Sequence, residues 1–153
     1  MERNGWLILY FCAFQERLNA LEQAVLRIQQ KKPEKFATHP TVKLLKSVVH
    51  AILDEVPADP ASPLFEQGNT LGEAHRHWRR VKRRLPPRYR LFFQFSSVQT
   101  KIVFAWLNDA SSLRQDGAKT DVYKVFKCLL DQGKVPDSWD QLVAASAPPR
   151  TGA

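Results

Sequence analysis

Between Ala74 and Asn108 the chain contains no Asp or Glu, while Arg76, Arg79, Arg80, Lys82, Arg83, Arg84, Arg88, Arg90 and Lys101 crowd into the same stretch. These cations alternate with Trp78, Val81, Tyr89, Leu91, Phe92, Phe93 and Phe95, so the segment is built to pleat into a sheet rather than stay a solvated tail. In residues 88–96 a period of two places Tyr89, Leu91, Phe93 and Phe95 on one face, with Arg88, Arg90, Phe92 and Gln94 on the other. Residues 78–84 read as its partner strand, reached through Pro86 and Pro87, with Arg80 and Lys82 pointing the same way. Paired as a hairpin, the two strands gather four cations on one face. Like charges set side by side weaken a sheet, so a face of this kind anticipates a polyanion, of which phosphate backbones are the commonest. A solvated cationic face is the alternative.

The rest of the chain supplies the scaffold. Residues 6–12 form an apolar run of strand length, expected to be buried on both faces. From Phe14 the period lengthens, and Phe14, Leu18, Leu21, Val25 and Ile28 predict a helix ending near Lys32 and Pro33. A second helix is predicted with Thr38 or His39 as its cap, Pro40 in its first turn, Leu45, Val49, Ile52 and Val56 as its stripe, and Pro57 as its stop. Residues 57–72, rich in Pro and Gly, are a connection. Residues 101–109 read as a central strand ending on Asn108 and Asp109. Thr120 or Asp121 opens a last helix with Val122, Val125, Phe126 and Leu129 inward and Gly133 as a left-handed cap. The expectation is an α+β fold: a mostly antiparallel sheet of about four strands, two N-terminal helices and a C-terminal helix. One domain covers residues 1–143, and residues 144–153 form a flexible tail.

With 153 residues, 44% hydrophobic, the chain can build a real core, and its net charge of +8 favours acidic partners. Cys12 and Cys128 each lie in an apolar run and read as buried thiols of a reducing cytoplasm. The apolar residues 5–14 fall short of the roughly 20 needed to span a bilayer, so no membrane partner is expected. His75 and His77 share one side of a strand, but no carboxylate or thiol completes a ligand set at a convincing spacing, so neither metal nor other cofactor is expected. No nucleophile motif surrounds the serines and no glycine-rich phosphate loop is present. Arg114, Lys119 and Tyr123 cluster at the start of the last helix, where free amides and the helix dipole favour anions. Taken alone, Tyr123 reads first as a half-buried packing residue that gains interest only beside the cationic strands, and Asp109 reads first as a cap of the turn that follows it.

Five motifs in order, NGW at 4–6, WRRVK at 78–82, RYRLFF at 88–93, WLND at 106–109 and LRxxGxKTDxYxVF at 113–126, resemble the YhaV toxins of bacterial toxin-antitoxin modules. That family is similar in turn to the RelE superfamily of messenger-RNA endoribonucleases. The resemblance implies a RelE-like toxin that cleaves messenger RNA in association with the ribosome, is silenced by a PrlF-type antitoxin, and meets operator DNA through the antitoxin complex. It carries over Arg80 and Lys82 as the basic pair before the YRL motif, Arg90 as the arginine of that motif, and Tyr123 as the carboxyl-terminal tyrosine. Lys119 or Arg114 supplies a further cation. Arg79, Arg88, Arg114, Asn108 and Asp109 are expected to hold RNA.

The mechanism expected is metal-independent: a ribose 2′-hydroxyl attacks the adjacent phosphorus, leaving a cyclic phosphate and a 5′-hydroxyl. It needs a base, donors for the phosphate oxygens and an acid. A lysine among arginines is the natural base, because like charge disfavours its cationic form. Lys82 takes that part, Arg80 and Arg90 the phosphate, and Tyr123 the orientation of the nucleophile or the supply of a proton. The rival class is a basic nucleic-acid-binding module or repressor that uses the same face without cleavage.

Overall fold

In the computed structural model, which describes residues 1–150, the two most apolar runs lie side by side at the centre of a six-stranded mixed sheet. The strands are β1 (Glu2–Arg3), β2 (Trp6–Phe11), β3 (Arg79–Val81), β4 (Leu91–Ser96), β5 (Lys101–Leu107) and β6 (Ser146–Ala147). Their order is β1-β2-β5-β4-β3, with β6 pairing the far end of β2 beyond β1. Only β2 and β5 run parallel, Leu7 opposite Lys101 through Tyr10 opposite Phe104, and the other pairings are antiparallel.

Helices cover both faces. On one lie α1 (Cys12–Lys31) and α2 (Pro40–His50), the latter running on through a π-helical turn, Ala51–Glu55, into the short α3 (Val56–Ala58). On the other lie α4 (Val122–Asp131) and α5 (Trp139–Ala144). Ile8, Tyr10, Leu91, Phe93, Ile102 and Phe104 pack toward α1 and α2. Leu9, Phe11, Phe92, Val103 and Ala105 pack toward α4 and α5. Strands buried on both sides lose their alternation, which explains the unbroken apolar runs.

The α+β class and the mostly antiparallel sheet agree with the sequence. The count of about four strands does not, nor does a single C-terminal helix. β1 and β6 are two residues each, too short to leave a period, and α5 spans six residues. His39 caps α2, its Nδ1 accepting from the Thr41 amide at 3.1 Å. The stripe expected at Leu45 and Val49 is instead Leu44 and Val48, and Val49 is exposed. A π-turn adds one residue to the spacing, so a stripe counted back from Val56 in ordinary turns arrives one position late. Both cysteines are exposed, against expectation. Cys12 stands where β2 gives way to α1, and Cys128 lies off the Val122, Phe126 and Leu130 stripe of α4. Within the expected tail, Ser146–Ala147 forms β6, and Gln15 exchanges hydrogen bonds with the Arg150 backbone at 2.8 and 3.1 Å. The rest of that tail, residues 151–153, lies outside the described residues.

Candidate active site

The register of β3 and β4 sets Arg80 opposite Phe92, on the face covered by α4. Arg90, one residue before β4, shares that face by alternation. From above, α4 lowers Tyr123, the second residue of the helix, whose ring stands edge-on to Phe92 with centroids 5.8 Å apart. The Tyr123 hydroxyl oxygen accepts hydrogen bonds from Arg80 Nε and from Arg90 Nε, each at 3.1 Å. Two further cation contacts complete the nest: the guanidinium carbons of Arg90 and Arg114 lie 5.9 and 5.1 Å from the centre of the tyrosine ring.

Among the described residues no carboxylate pairs with Arg80 or Arg90. Arg80 Nη1 donates to the Leu64 carbonyl at 3.0 Å, and Arg90 Nη1 to the Tyr89 carbonyl at 2.8 Å. Each Nη2 is left without a protein acceptor among the described residues. Arg90 is only 6% exposed, and a buried cation is ordinarily paired. Arg114 does have its acid: Nη1 donates to Asp121 Oδ1 at 2.7 Å. Asp121, buried at the start of α4, also accepts from the amides of Gln115 and Tyr123. Burial pushes its carboxyl up, but the hydrogen bonds from Arg114 and the two amides, with the charge of Arg114, outweigh burial and hold it below the usual carboxylate range. The same carboxylate raises the guanidinium of Arg114 above its ordinary value, first through that hydrogen bond. Three guanidinium groups around one phenol with one acid leave a local excess of positive charge.

Residues 8–147 match the family described as a toxin with endonuclease activity, of a toxin-antitoxin system. Similar proteins include "Ribonuclease toxin YhaV" of Escherichia coli K12 and "Toxin YhaV" of Escherichia coli O6:H1 and O157:H7, each 39% identical over 141 residues that cover 91% of this chain and 90% of the relative. The chain belongs to the YhaV toxin family. It is therefore a toxin of a toxin-antitoxin system with endonuclease activity. No solved structure matches it significantly. No helix among the described residues is long and apolar enough to cross a membrane.

In this YhaV-family chain the other residues singled out from sequence fall in distinct places. Asn108, expected to hold RNA, is fully buried. Its Oδ1 accepts from the Arg90 amide at 2.8 Å, and its Nδ2 donates to the carbonyls of Arg88 and Ser112 at 3.1 and 2.9 Å. A bulge prepares this: pairing jumps from Phe92–Trp106 to Phe93–Phe104, leaving Ala105 unpaired and turning the end of β5 by one residue. Arg88, in the left-handed region at φ 75°, donates from Nε to the Arg114 carbonyl at 3.0 Å and ties that loop to the sheet. Asp109 caps the turn Ala110–Ser112; its carboxyl is held low first by the Ser111 hydroxyl.

Arg79 lies across the sheet from Tyr123, opposite Phe93, with its guanidinium 6.0 Å from the Phe95 ring. Lys119 is exposed in the turn before α4 and makes no hydrogen bond among the described residues, whereas Arg114 stands over the tyrosine. Lys82 sits one residue past the end of β3, where the alternation that aims Arg80 has stopped, and it lines a neighbouring groove. His75 and His77 both face Asp137, at 3.0 Å to its carboxylate and 2.7 Å to its carbonyl. The Trp78 indole donates to the same carboxylate at 2.8 Å, so this group pins the segment before α5 to the start of β3. In sequence Asp121 stands out only as a helix cap. Its i, i+2 relation to Tyr123 was the signal that it also reaches the site.

Proposed function

We propose that this toxin is a metal-independent endoribonuclease of messenger RNA, acting with the ribosome in the cytoplasm and inhibited by a PrlF-type antitoxin that also mediates contact with operator DNA. The name of the K12 relative, a ribonuclease toxin, supports RNA as the substrate. One observation carries the site assignment: Arg80 and Arg90 converge on Tyr123 with no carboxylate partner and one free terminal nitrogen each among the described residues. A phosphodiester placed there supplies the missing counter-charge and receives hydrogen bonds from both Nη2 atoms. Those bonds strengthen as the phosphorus takes on its fifth oxygen and a second negative charge.

The bond from the ribose 2′-oxygen to phosphorus forms as the bond to the 5′-oxygen breaks. The 2′ proton passes to a base and a proton is delivered to the departing 5′-oxygen. Because the Tyr123 oxygen already accepts from two cations, its own hydrogen is the one available to give. Tyr123 is thus the acid of this scheme and Lys82 its base, with the ribose lying toward the groove that Lys82 lines. Arg114, oriented by Asp121, supports the phosphate from the other side of the ring.

The test is end analysis. Labelled messenger RNA incubated with pure protein, and separately with protein and translating ribosomes, should yield cyclic-phosphate and 5′-hydroxyl ends with chelator present. An RNA carrying a 2′-deoxy sugar at the cut should resist. Fragments bearing 5′-phosphates, or cleavage abolished by chelator and restored by zinc, would overturn the scheme.

A further inference from the structure

Along the outer edge of β3, on the side of α3, runs a groove of about 460 Å³ lined by Glu55, Asp59, Leu64, Phe65, Lys82 and Arg84, with Ala58, Ser62 and Arg83. We infer that this groove is a nucleobase subsite selective for guanine, flanking the scissile phosphate, with Glu55 reading the ring N1–H and the 2-amino group. The inference rests on the proposed RNA substrate and adds to it which base the protein itself recognises and with what.

Four observations meet here. Glu55 ends the π-helical turn, an irregularity common at functional sites, which turns its side chain away from the direction an unbroken helix gives. Its Oε1 is buried without a hydrogen-bond partner among the described residues, His50 Nε2 standing 3.8 Å away, and Arg84 Nε lies 3.6 Å from Oε2. A carboxylate that holds no hydrogen bond can rotate about its last torsion without losing one. Arg84 adopts the left-handed backbone at φ 68°, an uncommon conformation for a residue with a Cβ, at the lip of this groove. Leu64, 56% exposed, and Phe65 give the groove an apolar wall against which a flat base can lie.

The choice of base follows from donors and acceptors. Two carboxylate oxygens match two adjacent N–H donors on one edge, which guanine carries at N1 and N2. Adenine offers an acceptor at N1, and uracil a single N–H between two carbonyls. Arg83, on the same wall, is the donor type suited to the guanine O6 and N7 acceptors. The groove and the phosphate site meet at one residue: Leu64 lines the groove and its carbonyl accepts from Arg80 Nη1 at 3.0 Å, so a strand held by Arg80 can pass over the edge of β3 and set a neighbouring base there.

The experiment compares otherwise identical RNAs carrying guanine, inosine or adenine at each position around the cut, for the unaltered protein and for Glu55→Gln. Cleavage is read as kcat/KM, and equilibrium binding is measured on 2′-deoxy-substituted analogues that are not cut. A bidentate reading is worth about 1–3 kcal/mol, hence roughly 5- to 150-fold preference for guanine over adenine at one position, with inosine between. Glu55→Gln should lower guanine RNA to the adenine level in both readouts while melting as the unaltered protein does. Glu55→Asp, which shortens the reach, should keep part of the preference. Cleavage with no guanine preference, or with one that Glu55→Gln retains, overturns the subsite and leaves the nuclease reading standing. Guanine-selective binding lost in Glu55→Gln, without cleavage of any RNA, sinks the nuclease reading and leaves the subsite. Protection of the groove by the antitoxin alone, with base-blind RNA binding, assigns it to a protein partner instead.

Discussion

Arg90→Met should cost activity heavily while costing little or no stability. Arg90 is 6% exposed and has no acid among the described residues, so its cation is held away from water without a counter-charge. Replacing buried charge by an apolar side chain of similar length is neutral to stabilising by about 1–4 kcal/mol. Against this stand two lost hydrogen bonds. Tyr123 keeps its bond from Arg80, and the Tyr89 carbonyl left alone costs about 1 kcal/mol. The backbone bond from the Arg90 amide to Asn108 survives the change. The net runs from about 1 kcal/mol less stable to about 3 kcal/mol more stable, which for a chain of this size moves Tm by between about −3 and +10 °C. Loss of one donor to the developing charge lowers cleavage on the order of a hundredfold or more. Urea unfolding and cleavage of labelled messenger RNA with translating ribosomes read the two effects. A variant destabilised by several kcal/mol, or one that cleaves at the original rate, would show that Arg90 is an ordinary structural residue and refute the argument from its missing partner.

Tyr123→Phe keeps the ring against Phe92 and Arg114 but removes the oxygen between the two arginines, so cleavage should fall roughly 100- to 10,000-fold while substrate binding persists; unchanged single-turnover rates would remove Tyr123 as the acid. Arg114→Ala should lower cleavage about tenfold or more, and Lys119→Ala should leave it near the original rate; the reverse ranking in the same assay would transfer the supporting role to Lys119. Asp121, whose folded carboxyl titrates below its unfolded value of about 4, adds stability that is present above that value and is lost as pH falls through the lower folded one. Asp121→Asn should flatten that acid limb of the unfolding curve, and an unaltered pH profile would contradict the assignment.

Much of this arrangement was legible in the sequence because it follows from short periods. Alternation placed Arg80 and Arg90 on one face, and an Asp two residues before Tyr123 announced a helix start. What escaped depends on events that break a period. The end of β3 at Val81 removed Lys82 from the face of Arg80, the π-turn shifted the stripe of α2, and the bulge at Ala105 turned the Asn108 side chain inward. No periodic pattern could announce the Leu64 carbonyl as a partner of Arg80, since the two meet through a proline-rich connection whose path the residue types do not specify.

The two short strands flanking β2 bear on how the protein can be handled. β1 covers Leu7 and Trp6, and β6 covers Tyr10 and Phe11, so a central strand of the sheet is shielded by pieces drawn from opposite ends of the chain. Cutting the chain after residue 143 would bare the amides and carbonyls at Tyr10 and Phe11, an adhesive border that a neighbouring molecule's strand can extend. Self-association of such a shortened protein would then reflect a lost cover, with the face that carries Arg80 and Tyr123 untouched.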